Sequence, residues 1–217
     1  MKYQLVIFDL DGTILNTLED LKNAANYALG QNNFPERTTD EIRRFVGNGI
    51  RKLIERAVPP GTDEETIIKV HEKFTEFYKA HCSDNTRPYE GIEDMLKALR
   101  KASCLTAVVS NKADYAVQEL CREYFPGLFD CVAGERQGIR KKPAPDTVNA
   151  ILSKLDISPD KAVYVGDSDV DVMTAANAHM DIIAIDWGFR DRQCLTDSGA
   201  KIIVSTPKEA LKIILKA

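Results

Sequence analysis

The sequence of 217 residues predicts an α/β fold, in which a three-layer, doubly wound parallel sheet carries a small α-helical domain inserted after the first strand. Three observations lead to this prediction. Leu5-Val6-Ile7-Phe8 is a continuous apolar run, as expected for a strand buried on both faces. A long stretch with only helical patterns follows it. Beyond residue 87, strand-like runs alternate with helical periodicity, which is typical of βαβ crossovers.

The composition is that of an ordinary globular protein. Hydrophobic residues make up 44% of the chain and charged residues 29%, and the length suits one large α/β domain or a core with a small insertion. The formal net charge of −4 provides no basic footprint for nucleic acid or an anionic membrane. We therefore expect a small-molecule partner, no nucleic acid and no membrane.

The sequence also shows no membrane-spanning stretch, no signal peptide and no paired cysteines. No apolar stretch approaches the roughly 20 residues that span a bilayer, and Met1-Lys2-Tyr3 lacks a signal-peptide profile, so we expect a cytoplasmic protein. For the oligomeric state, we expect a monomer or a homodimer. The five cysteines are scattered and form no Cys-x-x-Cys pair. This spacing argues against a disulfide framework or a structural zinc site and favours buried packing roles.

Helix signals fill the region after the first strand. Thr17 is a candidate N-cap for a first helix. Thr38-Thr39-Asp40-Glu41 is a capping-box pattern that opens a second helix ending near Val46. Apolar periodicity over residues 50–57 predicts a third helix, and Thr62-Asp63-Glu64-Glu65 opens a fourth.

This helical block is predicted to be a cap of residues 16–84, inserted into an α/β core of residues 1–15 and 85–217. It leaves and rejoins the core beside the end of the first strand, so it is either a lid or a helical decoration that does not move. Asn16-Thr17 and Ser83-Asp84-Asn85 are polar and turn-prone, as the hinges of a lid would be.

The core after residue 87 contains four more strand-like runs, mostly separated by helical patterns. They cover residues 105–109, 162–165, 182–185 and 201–204. Parallel strands joined by helices bring their carboxyl ends to one edge of the sheet, where ligands bind in open α/β folds. Polar residues that follow the strands are therefore the candidate site.

Asp9 and Asp11 directly follow the first strand, and Gly12 and Thr13 come after them. Two like charges about 4 Å apart repel by roughly 4 kcal/mol at an effective dielectric of about 20. We therefore expect a bound cation beside these carboxylates. The alternative is an Asp-Gly turn that merely caps the next helix.

Three more polar clusters fall at or just after predicted strand ends. Ser110-Asn111 supplies a hydroxyl and an amide, Lys141-Lys142-Pro143-Ala144-Pro145 holds a lysine in stiff backbone, and Asp167 and Asp171 stand one helical turn apart. Each has a simpler interpretation, as an N-cap serine, a solvated lysine and an acidic first helical turn. Their conjunction with the first aspartates at one sheet edge favours a chemical site.

The order of these motifs resembles that of the haloacid dehalogenase-like hydrolase superfamily, in its α-helical-cap branch. The motifs are Asp9-x-Asp11-Gly12-Thr13, Ser110-Asn111, Lys142-Pro143 and Gly166-Asp167-(x)3-Asp171. Further segments resemble the phosphoglycolate phosphatase-like group, namely Val46-Gly47-Asn48-Gly49, Arg87-Pro88-Tyr89-Glu90-Gly91 and Trp187-Gly188-Phe189-Arg190. The resemblance implies a Rossmann-like core and a Mg²⁺-dependent phosphatase. The implied reaction hydrolyses a small phosphorylated metabolite, of the phosphoglycolate type, through an aspartyl-phosphate.

The same resemblance implies a role for each motif residue. Asp9 would be the nucleophile, and Asp11 would be the general acid and then the general base. Ser110, Asn111 and Lys142 would bind the phosphoryl group. Asp9, the backbone carbonyl of Asp11 and Asp167 would ligate Mg²⁺, with Asp171 behind them.

Electrostatics supports these roles independently, because carboxylates repel a phosphate dianion unless a divalent cation and a lysine offset them. All-oxygen ligation suits Mg²⁺. Other activities stay open at this point: a β-phosphoglucomutase-like phosphotransferase, a pyrophosphatase or nucleotidase, and a binding protein without turnover. Gly47-x-Gly49 is either a cap loop that meets an anionic substrate, with Arg51 or Lys52 nearby, or a plain helix–helix turn; Arg190 is equally open.

Overall fold

The computed structural model describes residues 2–216 and divides into two compact units. The core unit consists of the residues up to Leu15 and from Pro88 onward, and the helical unit consists of Asn16–Arg87. None of the helices between residues 2 and 216 combines the length and the apolar composition of a membrane-spanning segment.

The strands of the described chain belong to two sheets. They are β1 (Leu5–Phe8), β2 (Leu15–Asn16), β3 (Arg87–Pro88), β4 (Leu105–Ala113), β5 (Cys131–Glu135), β6 (Ala162–Gly166), β7 (Asp181–Ile185) and β8 (Ile203–Val204). Within residues 2–216 the main sheet has six strands in the order β5-β4-β1-β6-β7-β8, and every neighbouring pair is parallel. β2 and β3 form a separate two-stranded sheet.

The helices alternate with the strands of the core unit and make up most of the helical unit. They are α1 (Leu18–Gly30), α2 (Thr39–Phe45), α3 (Ile50–Ala57), α4 (Glu64–His81), α5 (Ile92–Lys101), α6 (Asp114–Tyr124), α7 (Asp146–Leu155), α8 (Asp169–Asn177), α9 (Arg192–Asp197) and α10 (Pro207–Lys216). The predicted fold class, a helix-flanked parallel sheet, is confirmed. The five cysteines are free thiols and all but Cys194 are buried, as their spacing indicated.

The strand β1 lies at the centre of the sheet and positions the candidate site. Its four residues are fully buried, as a continuous apolar run predicts. Phe8 pairs with Val108 of β4 on one side and with Val165 of β6 on the other. The residues that follow these three positions therefore lie side by side toward the carboxyl edge of the sheet.

Helix capping in the helical unit follows the sequence at α2 and differs at α1. The Thr38 hydroxyl accepts a hydrogen bond from the Glu41 amide, while the Glu41 carboxylate accepts one from the Thr38 amide, so the predicted capping box is confirmed. Thr17 occupies the N-cap position of α1, as predicted, but its side chain makes no cap hydrogen bond. The Asn16 side chain accepts from the Leu18 amide instead, and the buried Thr17 hydroxyl has no hydrogen-bond partner among the described residues.

A buried aspartate ties the two ends of the helical unit together. Asp20 in α1 accepts hydrogen bonds from the backbone amide and side-chain amide of Asn85, at 2.9 Å each. It also accepts from the amide and hydroxyl of Thr86, at 2.8 Å each. Asn85 belongs to the second predicted hinge, and these bonds fix its position relative to the start of α1.

The secondary structure differs from the prediction at several places where the apolar signal is weak. The edge strand β5 has the sequence Cys-Val-Ala-Gly-Glu and was not predicted, because only its first three residues are apolar. The helices α9 and α10 were not predicted either. Strand β4 extends through polar residues to Ala113, four residues beyond its predicted end, whereas β8 is limited to Ile203–Val204. These differences leave the order of the predicted elements unchanged.

Candidate active site

The carboxyl edge of the sheet collects the polar residues that the sequence singled out. Asp9 directly follows β1, Ser110 and Asn111 lie in the last part of β4, and Asp167 directly follows β6. All four side chains are buried. Since an isolated buried charge is costly, the partners of these residues decide what the site can do.

Lys142 is the cation at the centre of this cluster. Its Nζ lies 2.9 Å from Oδ1 of Asp9 and 2.8 Å from Oδ1 of Asp171, and it donates a third hydrogen bond of 3.1 Å to the hydroxyl of Tyr164. An ammonium has three protons, and these contacts use all three. Burial disfavours the charge, but the carboxylates of Asp171 and Asp9 outweigh it and raise the pKa of Lys142 well above its usual value.

Two residues hold Lys142 in place. The side-chain oxygen of Asn111 accepts from the Lys142 amide at 2.9 Å, and the side-chain nitrogen of Asn111 donates to the Lys142 carbonyl at 3.1 Å. The hydroxyl of Tyr164 donates to the carbonyl of Val109 at 3.1 Å, which fixes its orientation toward Lys142. Sequence reasoning missed Tyr164; the available signal was a tyrosine inside a buried strand, whose hydroxyl must find a partner.

Asp167 is held on both of its oxygens. Oδ1 accepts from the hydroxyl of Thr13 at 3.0 Å, and Oδ2 accepts from the backbone amide of Phe189 at 2.7 Å. A Cβ atom added at Gly12 or at Gly188 would collide with the Asp167 carboxylate, and Gly12 also has a φ of +84°. Glycine is therefore required at both positions for the backbone to approach this side chain.

Asp171 connects Lys142 to the start of α8. Its Oδ2 accepts hydrogen bonds from the amide and the hydroxyl of Ser168, at 3.1 Å and 2.6 Å. The bond from the Ser168 amide is half of a capping box that begins α8. With Oδ1 on Lys142, both carboxylate oxygens of Asp171 already have partners.

The acidic cluster fits a divalent cation. Asp9, Asp167 and Asp171 each present a carboxylate oxygen within 4.8 Å of the other two. Burial raises the pKa of Asp9 even though Lys142 opposes the shift, and burial together with the charge of Asp171 raises the pKa of Asp167. A bound dication would stabilise the ionised carboxylates of Asp9 and Asp167, and an all-oxygen donor set suits Mg²⁺.

Asp11 forms an ion pair that sequence reasoning missed. The Nζ of Lys112 lies 2.9 Å from Oδ1 and 3.2 Å from Oδ2 of Asp11. Lys112 is buried, and its backbone amide lies 3.3 Å from the hydroxyl oxygen of Ser110. The available signal was its position two residues after Ser110, since alternate residues of a strand share a face.

The cationic residues suggested near the cap loop are engaged elsewhere. Arg51 pairs with Glu55 at 2.8 Å and with Glu64 at 2.6 Å, and Lys52 pairs with Glu55 at 2.6 Å, all within the helical unit. Arg190 lies 3.7 Å from a carboxylate oxygen of Asp169 in the core unit. These ion pairs give Arg51 and Lys52 a role within the helical unit itself.

Comparison with known proteins agrees with this geometry. The sequence profile of the haloacid dehalogenase-like hydrolase family matches residues 6–185. A phosphoglycolate phosphatase from Vibrio vulnificus is 30% identical over 219 residues, which cover 98% of this chain and 96% of the relative. An N-acetylmuramic acid 6-phosphate phosphatase from Pseudomonas aeruginosa is 27% identical over 222 residues and covers 100% of this chain and 97% of the relative.

A solved structure extends the similarity to three dimensions. The crystal structure of a proposed phosphoglycolate phosphatase from Lactobacillus delbrueckii subsp. bulgaricus has a TM-score of 0.94 and 39% identity, and it covers 99% of both chains. The family match includes every strand end that carries a site residue, from Asp9 to Asp167. The chain therefore belongs to the haloacid dehalogenase-like hydrolases and is a phosphoric monoester hydrolase similar to the phosphoglycolate phosphatases.

Proposed function

We propose that the protein is a Mg²⁺-dependent phosphatase that hydrolyses a small phosphorylated metabolite of the phosphoglycolate type through a phosphorylated Asp9. One observation carries this proposal. The Lys142 ammonium lies 2.9 Å from Asp9 in a buried cluster that also contains Asp167, so anionic and cationic groups converge where a phosphate would react. Phosphoryl transfer depends on such positioning and charge neutralisation.

Asp9 is the proposed nucleophile. One of its carboxylate oxygens attacks phosphorus, the bond from phosphorus to the leaving oxygen breaks, and the phosphoryl group remains on Asp9. Ser110 binds a phosphoryl oxygen in this step, and the Lys142 proton that contacts Asp9 before the reaction turns to another phosphoryl oxygen. Asn111 contributes by holding Lys142, because its side-chain amide is bonded to the Lys142 backbone.

Asp11 is the proposed general acid and base. It gives a proton to the leaving oxygen in the first step, and in the second step it takes a proton from the water that attacks the phosphorus on Asp9. Hydrolysis then releases inorganic phosphate and restores both carboxyl groups. Each of these proton transfers contributes about 10²- to 10⁴-fold in rate.

The residues that would hold Mg²⁺ are Asp9, the backbone carbonyl of Asp11 and Asp167, with Asp171 behind them. The bound ion would supply positive charge that offsets the phosphate and the carboxylates. Thr13 and the Phe189 amide fix the Asp167 carboxylate for this purpose. We further assign the chemistry to a core of residues 1–15 and 85–217, and we assign a cap role to residues 16–84.

The relatives support a phosphomonoester as the substrate. Two of the similar proteins are called phosphoglycolate phosphatases, and a third acts on N-acetylmuramic acid 6-phosphate by its name. Phosphoglycolate is therefore the first substrate to test, followed by sugar 6-phosphates. No feature of the site favours phosphoryl transfer to a second sugar or hydrolysis of pyrophosphate.

A panel assay tests the proposal. Purified protein is incubated with phosphoglycolate, sugar phosphates, a nucleoside monophosphate and pyrophosphate, with Mg²⁺ or with excess chelator, and released phosphate is measured. We expect hydrolysis of a phosphomonoester that chelator abolishes and that Asp9→Asn or Asp11→Asn lowers by 10³-fold or more while the fold is kept. Mass spectrometry after an acid quench should find phosphate on Asp9. Full activity in chelator, or in Asp11→Asn, would contradict the proposed mechanism.

A further inference from the structure

We infer that Lys112 is a positioning residue that orients the carboxylate of Asp11 for proton transfer. The inference rests on the proposed function, because it gives Lys112 a role only through the general acid and base of that reaction. The observation behind it is the ion pair of 2.9 Å and 3.2 Å from the Lys112 ammonium to the two oxygens of Asp11.

The burial of this pair is unequal. The Lys112 side chain is 2% exposed, whereas the Asp11 side chain is 20% exposed. A lysine ammonium is almost never placed in the interior without a partner, because its hydration is lost there. Lys112 therefore has to contact a carboxylate, and the one it contacts remains partly exposed. Apolar residues of similar volume often replace a whole buried ion pair without loss of stability, so stability alone does not require this pair.

The backbone at the end of β4 is irregular where it carries Lys112. The pairing of β4 with β5 changes register between Val109 and Ala113, so the end of β4 is irregular at the site residues. A Cβ atom added at Gly134 of β5 would lie 2.6 Å from the Lys112 carbonyl oxygen, so the two strands approach closely only because residue 134 is glycine. Irregularities of this kind redirect side chains at strand ends.

The contact to both oxygens restrains rotation of the Asp11 carboxyl group. Each aspartate has its own lysine: Lys112 contacts Asp11 from the end of β4, while Lys142 contacts Asp9. The two lysines thus separate the two aspartates into different roles.

This division predicts which step depends on Lys112. Attack on phosphorus requires Asp9, Lys142 and the bound ion, so it should survive the loss of Lys112. Protonation of a basic leaving oxygen and activation of water require Asp11, so both should slow. An alkyl phosphate needs the first proton transfer, whereas p-nitrophenyl phosphate releases a stable anion and does not.

A double-mutant cycle tests the inference. Lys112→Met is made in the wild-type chain and in Asp11→Asn, and Lys141→Met serves as the matched control, since Lys141 is a partly exposed lysine that lies 3.8 Å from Glu135. For the alkyl phosphate hydrolysed best by the wild type, we expect Lys112→Met to lower kcat about 100-fold with little change in KM. In the Asp11→Asn background we expect no further loss. Lys141→Met should behave like the wild type.

Presteady-state kinetics gives an independent readout. With p-nitrophenyl phosphate, Lys112→Met should release about one p-nitrophenolate per site in a rapid burst and then turn over slowly, because only the second step needs Asp11. Lys112→Gln, which keeps a donor for Asp11, should recover part of kcat and provides a second variant if Lys112→Met does not fold.

The outcomes separate this inference from the proposed function. The inference is overturned if the two losses of kcat multiply in the double variant, or if Lys112→Met raises KM strongly and gives no p-nitrophenolate burst. Either result would show that Lys112 contacts the phosphate or supports the fold. A wild-type chain that hydrolyses no phosphate ester would overturn the proposed function and the inference together. An active wild type with a cycle that shows no coupling overturns the inference alone.

Discussion

The side-chain amide of Asn111 forms two hydrogen bonds with the backbone of Lys142, accepting from its N–H at 2.9 Å and donating to its C=O at 3.1 Å. The two residues come from different segments of the core unit, since Asn111 lies in β4 and Lys142 precedes α7. These two hydrogen bonds, called the Asn111 clamp below, fix the backbone position from which the Lys142 side chain reaches Asp9. We therefore expect that loss of the Asn111 side chain impairs the function of Lys142.

Asn111→Ala should lower kcat/KM for the best phosphate ester by about 10- to 100-fold, because supporting contacts of this kind hold catalytic groups in place. Steady-state kinetics and thermal denaturation measure the effect. The matched control is Asn177→Ala, which removes an exposed hydrogen bond of 2.8 Å to the carbonyl of the neighbouring Pro143. Equal losses in the two variants would show that the whole loop, and not the clamp, is responsible.

Lys142→Met should abolish turnover and also destabilise the core unit. The substitution leaves the buried carboxylates of Asp9 and Asp171 without their cation, and breaking a buried pair costs roughly 3–5 kcal/mol. Chemical denaturation at several pH values, without Mg²⁺, measures the free energy of unfolding. The loss of unfolding free energy relative to the wild type should become smaller toward acid pH, because the unpaired carboxyl of Asp9 can then bind a proton. A deficit that does not change with pH would argue against an electrostatic cause.

Asp167→Asn should flatten the pH dependence of stability in chelator. Burial, with the charge of Asp171, raises the pKa of Asp167 from 3.8 to about 7. Between these values the folded protein keeps a proton that the unfolded chain has released, so the free energy of unfolding falls as the pH rises from about 4 to about 7. Asparagine does not titrate, and this decline should be smaller in the variant.

Magnesium provides the control for that experiment. Added Mg²⁺ should stabilise the wild type increasingly as the pH rises, because it binds the deprotonated carboxylates, and should stabilise Asp167→Asn much less. Identical pH profiles for the two proteins in chelator would mean that Asp167 is ionised in the folded state over the whole range.

Gly188→Ala should weaken metal binding without unfolding the protein. Its new methyl group would collide with the Asp167 side chain and with the Gly12 carbonyl oxygen, so the carboxylate has to move. We expect Mg²⁺ affinity, measured by calorimetric titration, to fall about 10-fold or more. Gly30→Ala is the matched control, because nothing lies within 4 Å of a Cβ atom added there. Wild-type affinity in Gly188→Ala would show that Asp167 is not constrained as the structure indicates.

Much of the core was predictable because its signals are local. The strands β1 and β6 are continuous apolar runs, and each is followed directly by an acidic residue of the site. The capping box at Thr38 is equally local, since its partners are three residues apart. By contrast, β5 offers only three apolar residues before Gly134. At the start of α1, Thr17 is the N-cap residue, but the side chain that accepts from the first turn is that of Asn16, which residue type does not decide.

The sequence by itself determined the parallel sheet, the order of the motifs and the edge at which the acidic residues meet, because apolar periodicity and strand direction are properties of neighbouring residues. Only the tertiary structure decided the pairings across that edge: Lys142 with Asp9 and Asp171, Lys112 with Asp11, and Asn111 with the Lys142 backbone. The physical reason is that these contacts join residues far apart in the chain, and their geometry depends on strand register, loop conformation and close glycine approaches that no local pattern specifies.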